Sequence, residues 1–127
     1  CNGARILLEP ESTWSINAGL DAAVALLDPI KMTYGDALSW ADLIVLAGTL
    51  ALEAHGSNDL PFCPGRVDAT DGAGSAHLEP RVTGASSDAL AIIKHTIKLS
   101  GLTEAEYVAL LGLNAIGQMH PTLATYD

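Results

Sequence analysis

The chain has 127 residues and carries fifteen Asp and Glu against six Lys and Arg, a formal net charge of -9. The basic residues are scattered, so there is no basic patch to follow a phosphate backbone, and nucleic acid is excluded as an expected partner. Hydrophobic residues make up 49% of the chain and aromatic residues only 5%. The mean hydropathy of +0.28 predicts that the chain buries apolar surface against partners or belongs to a larger helical core.

The expected setting is a single domain, residues 1–127, in a reducing, intracellular compartment. Cys1 and Cys63 are too few for a disulfide framework. The longest apolar run, Leu43 to Leu52, is about half of the ~20 residues that a membrane-spanning helix needs. The chain begins with Cys and shows no targeting segment, so we expect the native N-terminus to lie outside it.

The first element expected after a loop over residues 1–19 is a helix from Leu20 to Tyr34. Its inward face has helical spacing, Pro29 should interrupt and bend it, and Gly35 ends it. That inward face is formed by Leu20, Val24, Leu27, Lys31 and Tyr34.

A second helix begins at Ser39, with Asp42 in the capping-box position, and stops at Gly56. Because it is apolar nearly all round, we expect it to be buried on most sides. Residues 57–86 are dense in Gly, Pro, Asp and Ser and predict a long loop without elements of its own. Its most ordered part should be Pro61–Asp68, with Arg66 and Asp68 in a structural, ion-paired turn.

The last two helices form a tight pair. Ser87 or Asp88 caps the first, and Gly101 ends it. The second runs from Leu102 to His120 and opens with a capping box of Thr103 and Glu106. Asn114 lies in the middle of its apolar pattern, although Asn is a poor residue for a helix interior. The prediction is an all-α chain with four main helices.

Residue chemistry alone assigns no reaction. His55, Cys63, His77 and His120 lack the paired spacing of zinc ligands, so no metal site is expected. The run Asp68–Gly72 has the wrong spacing for an EF-hand and indicates a turn. There is no phosphate-binding glycine motif after a strand and no nucleophile elbow.

Four segments, in order, carry a resemblance that covers nearly the whole chain. They are CNGARI at the start, residues 17–53, PFCPGRVDATDG at 61–72 and GLTEAEYVALLGLNAIGQMH at 101–120. Together they resemble the class I haem peroxidases, the group that includes ascorbate peroxidase and cytochrome c peroxidase. The resemblance implies the haem-peroxidase-like helical fold, of which the chain is about the middle half, with a long Gly/Pro-rich loop.

The resemblance departs from the family at the iron ligand. The family pattern in the last segment is A-L-x-G-x-H-x-x-G-x-x-H, and its first His is the proximal ligand of the haem iron. That position is Asn114 here, and a neutral amide is a far weaker ligand to haem iron than imidazole. His120 matches the second His, which in the family lies near a haem propionate. Ala115 stands where some ascorbate peroxidases have the Thr of a cation site.

On the distal side, the resemblance implies a family helix with Arg-x-x-x-His immediately upstream of CNGARI, outside this chain. Asn17 matches the residue that orients that His, and Glu11 matches the carboxylate behind it. We therefore expect no catalytic residue in the chain and only a vestigial distal site at Asn17 and Glu11.

Three functional hypotheses follow. The first is a catalytically inactive pseudoperoxidase without haem, a structural or accessory subunit of a larger assembly in a mitochondrion or plastid. The second is an active class I peroxidase with haem b that reduces H2O2 with ascorbate or cytochrome c as donor, seen as a fragment. The third is a haem-binding module without turnover.

Overall fold

The computed structural model describes residues 2–79 and 89–116. Within them, four α-helices supply most of the regular structure: α1 (Leu20–Tyr34), α2 (Trp40–Ala54), α3 (Ala89–Ser100) and α4 (Glu104–Leu111). The predicted all-α class with four main helices is confirmed. The chain divides into two compact units, Cys1–His77 and Leu78–Asp127, which are described in turn; the expectation of a single domain stays a prediction.

In the first unit, α1 forms with the predicted bounds between Gly19 and Gly35. Both glycines have positive φ, 84° and 51°, which only glycine adopts without strain. The helix continues through Pro29, against the expected interruption. Lys31 closes its C-terminal end, because its Nζ donates to the carbonyls of Gly35 at 2.8 Å and Leu38 at 2.6 Å.

The prediction that α2 is buried on most sides is wrong for the described residues. Ala41, Asp42 and Leu43 in its first turn are buried, whereas Val45 is 38% exposed and Leu50 54%. The first turn is covered by neighbouring backbone: a Cβ added at Gly3 would lie 2.9 Å from the Cβ of Ala41.

Segments expected to be loops contain short elements. Strands β1 (Asn2–Gly3) and β2 (Val67–Asp68) pair in parallel, and 3-10 turns form at Arg5–Leu7, Glu11–Thr13, Ser15–Asn17, Gly35–Ala37 and Ala76–Leu78. The long region 57–86 therefore has elements of its own as far as residue 79, and residues 80–88 lie outside the described part. Sequence periodicity did not indicate β2 because a two-residue strand has no repeat to detect.

In the second unit, both ends of the α3–α4 connection follow the prediction. Gly101 has a φ of 71° and its N–H donates to the Ile97 carbonyl at 3.2 Å, which ends α3. The capping box of α4 is present: the Thr103 N–H donates to Glu106 Oε2 at 2.8 Å, and the Glu106 N–H donates to Thr103 Oγ1 at 3.3 Å. The cap expected at Ser87 or Asp88 lies outside the described residues.

The expectation of one helix from Leu102 to His120 is wrong. The α-helix ends at Leu111, residues Gly112–Ala115 form a 3-10 turn, and Ile116 is extended with φ -111° and ψ 135°. Gly112 and Asn114 explain the early end, since both are poor helix formers. Residues 117–127, with His120, lie outside the described part. None of the described helices is long and apolar enough to cross a membrane.

Candidate functional site

The N-terminus of α2 is held by side chains from outside the helix. Asp68, at the end of β2, accepts the Trp40 N–H on Oδ2 at 2.9 Å and the Ala41 N–H on Oδ1 at 2.8 Å. Ser39 Oγ accepts the Asp42 N–H at 3.1 Å. These three N–H groups have no partner inside a helix, so the cap depends on a residue 27 to 28 positions further along the chain.

Asp42 makes the reciprocal contact from the helix to the loop. Its carboxylate, 5% exposed, accepts the Gly65 N–H at 2.7 Å, the Arg66 N–H at 3.2 Å and Arg66 Nη1 at 3.0 Å. The Gly65 N–H bond, assisted by Arg66, holds the pKa of Asp42 below its ordinary value against the opposing effect of burial. The capping box predicted for Ser39 and Asp42 is therefore confirmed only in part. The Ser39 hydroxyl caps the helix, but the Asp42 carboxylate accepts loop N–H groups and does not bond back to Ser39.

Arg66 completes this clamp, the set of Asp42, Arg66 and Asp68. Its Nη1 also donates to the Cys63 carbonyl at 2.7 Å, and its guanidinium lies 5.8 Å from the centre of the Phe62 ring. The ion pair of Arg66 is with Asp42, whereas Asp68 caps α2; the expectation that both residues serve only the fold stays a prediction. These charged groups join the first turn of α2 to the loop at residues 63–68.

A second polar cluster, which the sequence reasoning missed, forms around Arg5. Its guanidinium donates to the fully buried Ser75 Oγ at 3.1 Å, to Asn2 Oδ1 at 3.1 Å and to the Asp71 carbonyl at 3.3 Å. The sequence signal for this cluster was an isolated arginine, Arg5, beside the short apolar run Ile6 to Leu8. Arg5, too, is used to tie the N-terminal segment to the long loop.

The structure brings Asn17 and Glu11 together, but not through the Glu11 carboxylate. Asn17 Nδ2 donates to the backbone carbonyl of Glu11 at 2.8 Å. Asn17 lines an open cavity of about 320 Å³ beside α1, hereafter the α1 groove. The residues that line it are Ile6, Leu7, Ser12, Asn17, Leu20, Asp21, Val24, Ala25 and Asp28.

Asn114 lies in the 3-10 turn after α4, and its side chain lies outside what the structure describes. His55, His77 and His95, the imidazoles among the described residues, belong to other segments; His55 Nδ1 lies 2.7 Å from the Ala51 carbonyl. Within residues 2–79 and 89–116 no group of three His, Cys, Asp or Glu could hold a metal ion. The donor at position 114 does not fit the imidazole-ligated haem that the resemblance implies.

Comparison with known proteins decides the family. The peroxidase family model matches residues 1–126. The chain belongs to the peroxidase family. A catalase-peroxidase of Pseudomonas entomophila is 38% identical over 137 aligned positions that cover 94% of the chain and 18% of that protein. The mitochondrial cytochrome c peroxidase of Aspergillus fumigatus is 36% identical over 99% of the chain and 33% of its own length.

A third peroxidase, the catalase-peroxidase of Shewanella loihica, is 52% identical over 66 residues, which is 52% of the chain and 9% of that protein. The chain thus spans between about a tenth and a third of the length of these peroxidases. Family membership confirms the resemblance and the helical fold that it implied.

Proposed function

We propose that the chain is a catalytically inactive member of the peroxidase family that acts as a structural subunit of a larger assembly. One observation carries the proposal: Asn114 occupies the position at which the family pattern has the histidine that binds the haem iron. The axial ligand is one of the main features by which a protein controls haem chemistry, and an amide is not among the usual axial ligands.

The use of the polar residues supports the structural part of the proposal. Arg5, Arg66 and Asp42 all bind backbone or buried side chains. These contacts stabilise the fold, and they support a structural use of the three side chains. The resemblance assigns no catalytic side chain to the described residues, and Asn17 and Glu11 would at most orient one.

The exposed apolar side chains support the partner part. Leu26 is 79% exposed, Met32 84% and Val108 66%. Large apolar side chains in such number are usually covered by another surface. The assembly that we propose would provide that cover, and the name of the Aspergillus relative supports a mitochondrial location for it.

The second candidate is an active peroxidase that reduces H2O2 with haem b and takes electrons from ascorbate or cytochrome c. The names of the relatives, catalase-peroxidase and cytochrome c peroxidase, favour it. It requires iron ligation that does not depend on an imidazole at position 114.

Peroxide turnover separates the two. The chain would be incubated with haemin, freed of excess by gel filtration, and assayed for H2O2-dependent oxidation of ascorbate and of ferrocytochrome c. We expect rates equal to those of free haemin at the same iron concentration. Saturable turnover with either donor, well above that background, would establish the active enzyme instead.

A further inference from the structure

We propose that Asn2 is a site of non-enzymatic deamidation and that the pairing of β1 with β2 controls the rate of this reaction. Asn2 is exposed and is followed by Gly3 in β1. Deamidation begins when the next backbone nitrogen attacks the asparagine Cγ, and glycine leaves that nitrogen unhindered because it has no Cβ. The site lies wholly in the unit Cys1–His77, and its chemistry does not involve haem.

The reaction needs water as its only co-reactant. The Gly3 nitrogen loses its proton and bonds to Asn2 Cγ, the Cγ–Nδ2 bond breaks, and the side-chain nitrogen leaves with that proton as ammonia. The product is a five-membered cyclic imide. Water then breaks one of the two bonds between the imide nitrogen and its carbonyl carbons. Opening at Cγ gives aspartate, and opening at the backbone carbonyl carbon gives isoaspartate.

The strand conformation holds this reaction back. Ring closure requires the Gly3 nitrogen to eclipse Asn2 Cβ about the Cα–C bond, whereas the extended backbone of a parallel strand keeps these atoms far apart around that bond. Asn2 pairs with Val67 and Gly3 with Asp68, and the Ala69 N–H donates to the Gly3 carbonyl at 2.8 Å. The Asn2–Gly3 peptide must therefore leave the strand pair before the ring can form.

Arg5 adds a second restraint on the asparagine side chain. Its Nη2 donates to Asn2 Oδ1 at 3.1 Å, and its Nη1 is held by the fully buried Ser75 Oγ at 3.1 Å and by the Asp71 carbonyl at 3.3 Å. Asn2 has to release this bond before its Cγ can turn toward the Gly3 nitrogen. Because β1 has only two residues, we expect it to open locally more readily than the helices, so that deamidation is slowed but still occurs.

The two products should differ in their effect on the fold. Aspartate keeps the length of the backbone and places a carboxylate beside Arg5. Isoaspartate adds a methylene group to the main chain, so Gly3 can no longer lie both opposite Asp68 and against Ala41. A chain that carries isoaspartate at position 2 would therefore lose β1 and the cover that it gives to the first turn of α2.

The test compares the chain with a synthetic peptide of residues 1–11 under the same reducing, mildly alkaline conditions. A glutamate-specific protease releases the N-terminal peptide at Glu11, and mass spectrometry measures the fraction in which Asn2 has become an acid. We expect Asn2 to react at least roughly tenfold more slowly in the chain than in the peptide, because it reacts only while β1 is open. An equal rate in the two, or no reaction in the chain long after the peptide has reacted completely, would overturn the proposal.

Variants of the chain test the restraint by Arg5. Arg5→Leu removes the hydrogen bonds to Asn2 and Ser75 and should speed the reaction roughly fivefold. Lys31→Gln removes a cation of the same unit that binds the backbone after α1 and should change the rate less than about twofold. Equal rates in the two variants would contradict the role of Arg5, and the comparison of chain and peptide decides even if a variant fails to fold.

Thermal unfolding tests the consequence for the fold. Asn2→Asp supplies the aspartate product directly and should melt at the temperature of the original chain. In aged samples the melting temperature should fall as the fraction of isoaspartate rises, which chromatography of the released peptide measures. An unchanged melting temperature in samples rich in isoaspartate would contradict the proposed loss of β1.

Discussion

Asp42 in α2 and Asp68 in the long loop each accept hydrogen bonds from the backbone of the other segment. The helix carboxylate binds loop N–H groups at Gly65 and Arg66, and the loop carboxylate binds helix N–H groups at Trp40 and Ala41. Each acid satisfies donors that would otherwise be orphaned near buried backbone, which is costly. The two residues therefore determine whether the loop and the helix hold each other in place.

Replacement of Asp42 by Asn should lower the melting temperature of the chain. The amide can accept fewer hydrogen bonds and loses the ion pair with Arg66. Asp59→Asn, at an exposed position of the same unit, is the control and should change stability by no more than about 0.5 kcal/mol. Equal melting temperatures of the two variants would contradict the role of the clamp.

The stabilisation by Asp42 should also depend on pH. Since folding lowers the pKa of Asp42, the contribution is complete above the ordinary Asp pKa of about 3.9 and is lost as the pH falls from there through the lower pKa of the folded state. The difference between the original chain and Asp42→Asn, measured by urea unfolding, should therefore be constant near neutral pH and shrink below about pH 4. A difference that grows on acidification would show the opposite shift.

Gly72 is required by a close backbone approach. A Cβ at this position would collide with the Glu9 carbonyl and lie 3.1 Å from Pro10 Cδ. We expect Gly72→Ala to destabilise the chain by about 1–3 kcal/mol. Gly48→Ala is the matched control: it lies within α2 with no atom within 4 Å of the added Cβ and should stabilise by about 0.5–1 kcal/mol. Urea unfolding measures both, and a stable Gly72→Ala would mean that the two segments do not touch.

At the scale of elements, α2 shows how a cap from a distant part of the chain adds to a local one. Ser39→Ala removes one acceptor and should cost about 1 kcal/mol. Asp68→Ala removes the acceptor of two N–H groups and should cost more, about 2 kcal/mol. If urea unfolding found the local cap to be the stronger, the long-range contact would contribute little.

The sequence predicted the elements that are controlled locally. The bounds of α1 follow from Gly35 and its apolar spacing, and the start of α4 follows from Thr103 and Glu106. Partners distant in sequence were not predictable: Asp42 resembled a capping acid because Ser39 stands three residues before it, while its actual partners lie 23 and 24 residues away. The end of α4 was missed because the apolar spacing continues past Gly112, where the backbone leaves the α-helix.

At the scale of the candidate site, the resemblance identified Asn17 and Glu11 as positions of interest, whereas only the structure shows what their atoms contact. It placed Asn17 and Glu11 together, but the hydrogen bond is to a backbone carbonyl, which no sequence pattern specifies. The α1 groove depends on how residues 6–17 fold against α1 and could not be read from periodicity. The identity of Asn114 is read from the sequence alone, and the loss of imidazole ligation that we propose rests on the ligand chemistry of its amide.

At the scale of the whole molecule, the chain combines a peroxidase-family fold with many exposed apolar side chains, among them Leu26, Met32 and Val108. Both features are consistent with the proposed assembly, in which another protein surface would cover these apolar side chains. The central claim is narrower: we propose that, without an imidazole at position 114, the chain does not form a histidine-ligated haem site.

Titration of the purified chain with haemin, followed through the Soret band, tests this claim most directly. Free haemin without protein is the reference. For the original chain we predict no saturable one-to-one spectral change of the kind given by imidazole ligation. Asn114→His supplies the family's ligand type and indicates whether a pocket remains: a histidine-type spectrum in the variant alone would assign the loss to this residue. A stoichiometric, histidine-type Soret band in the original chain, with Asn114 unchanged, would contradict the account.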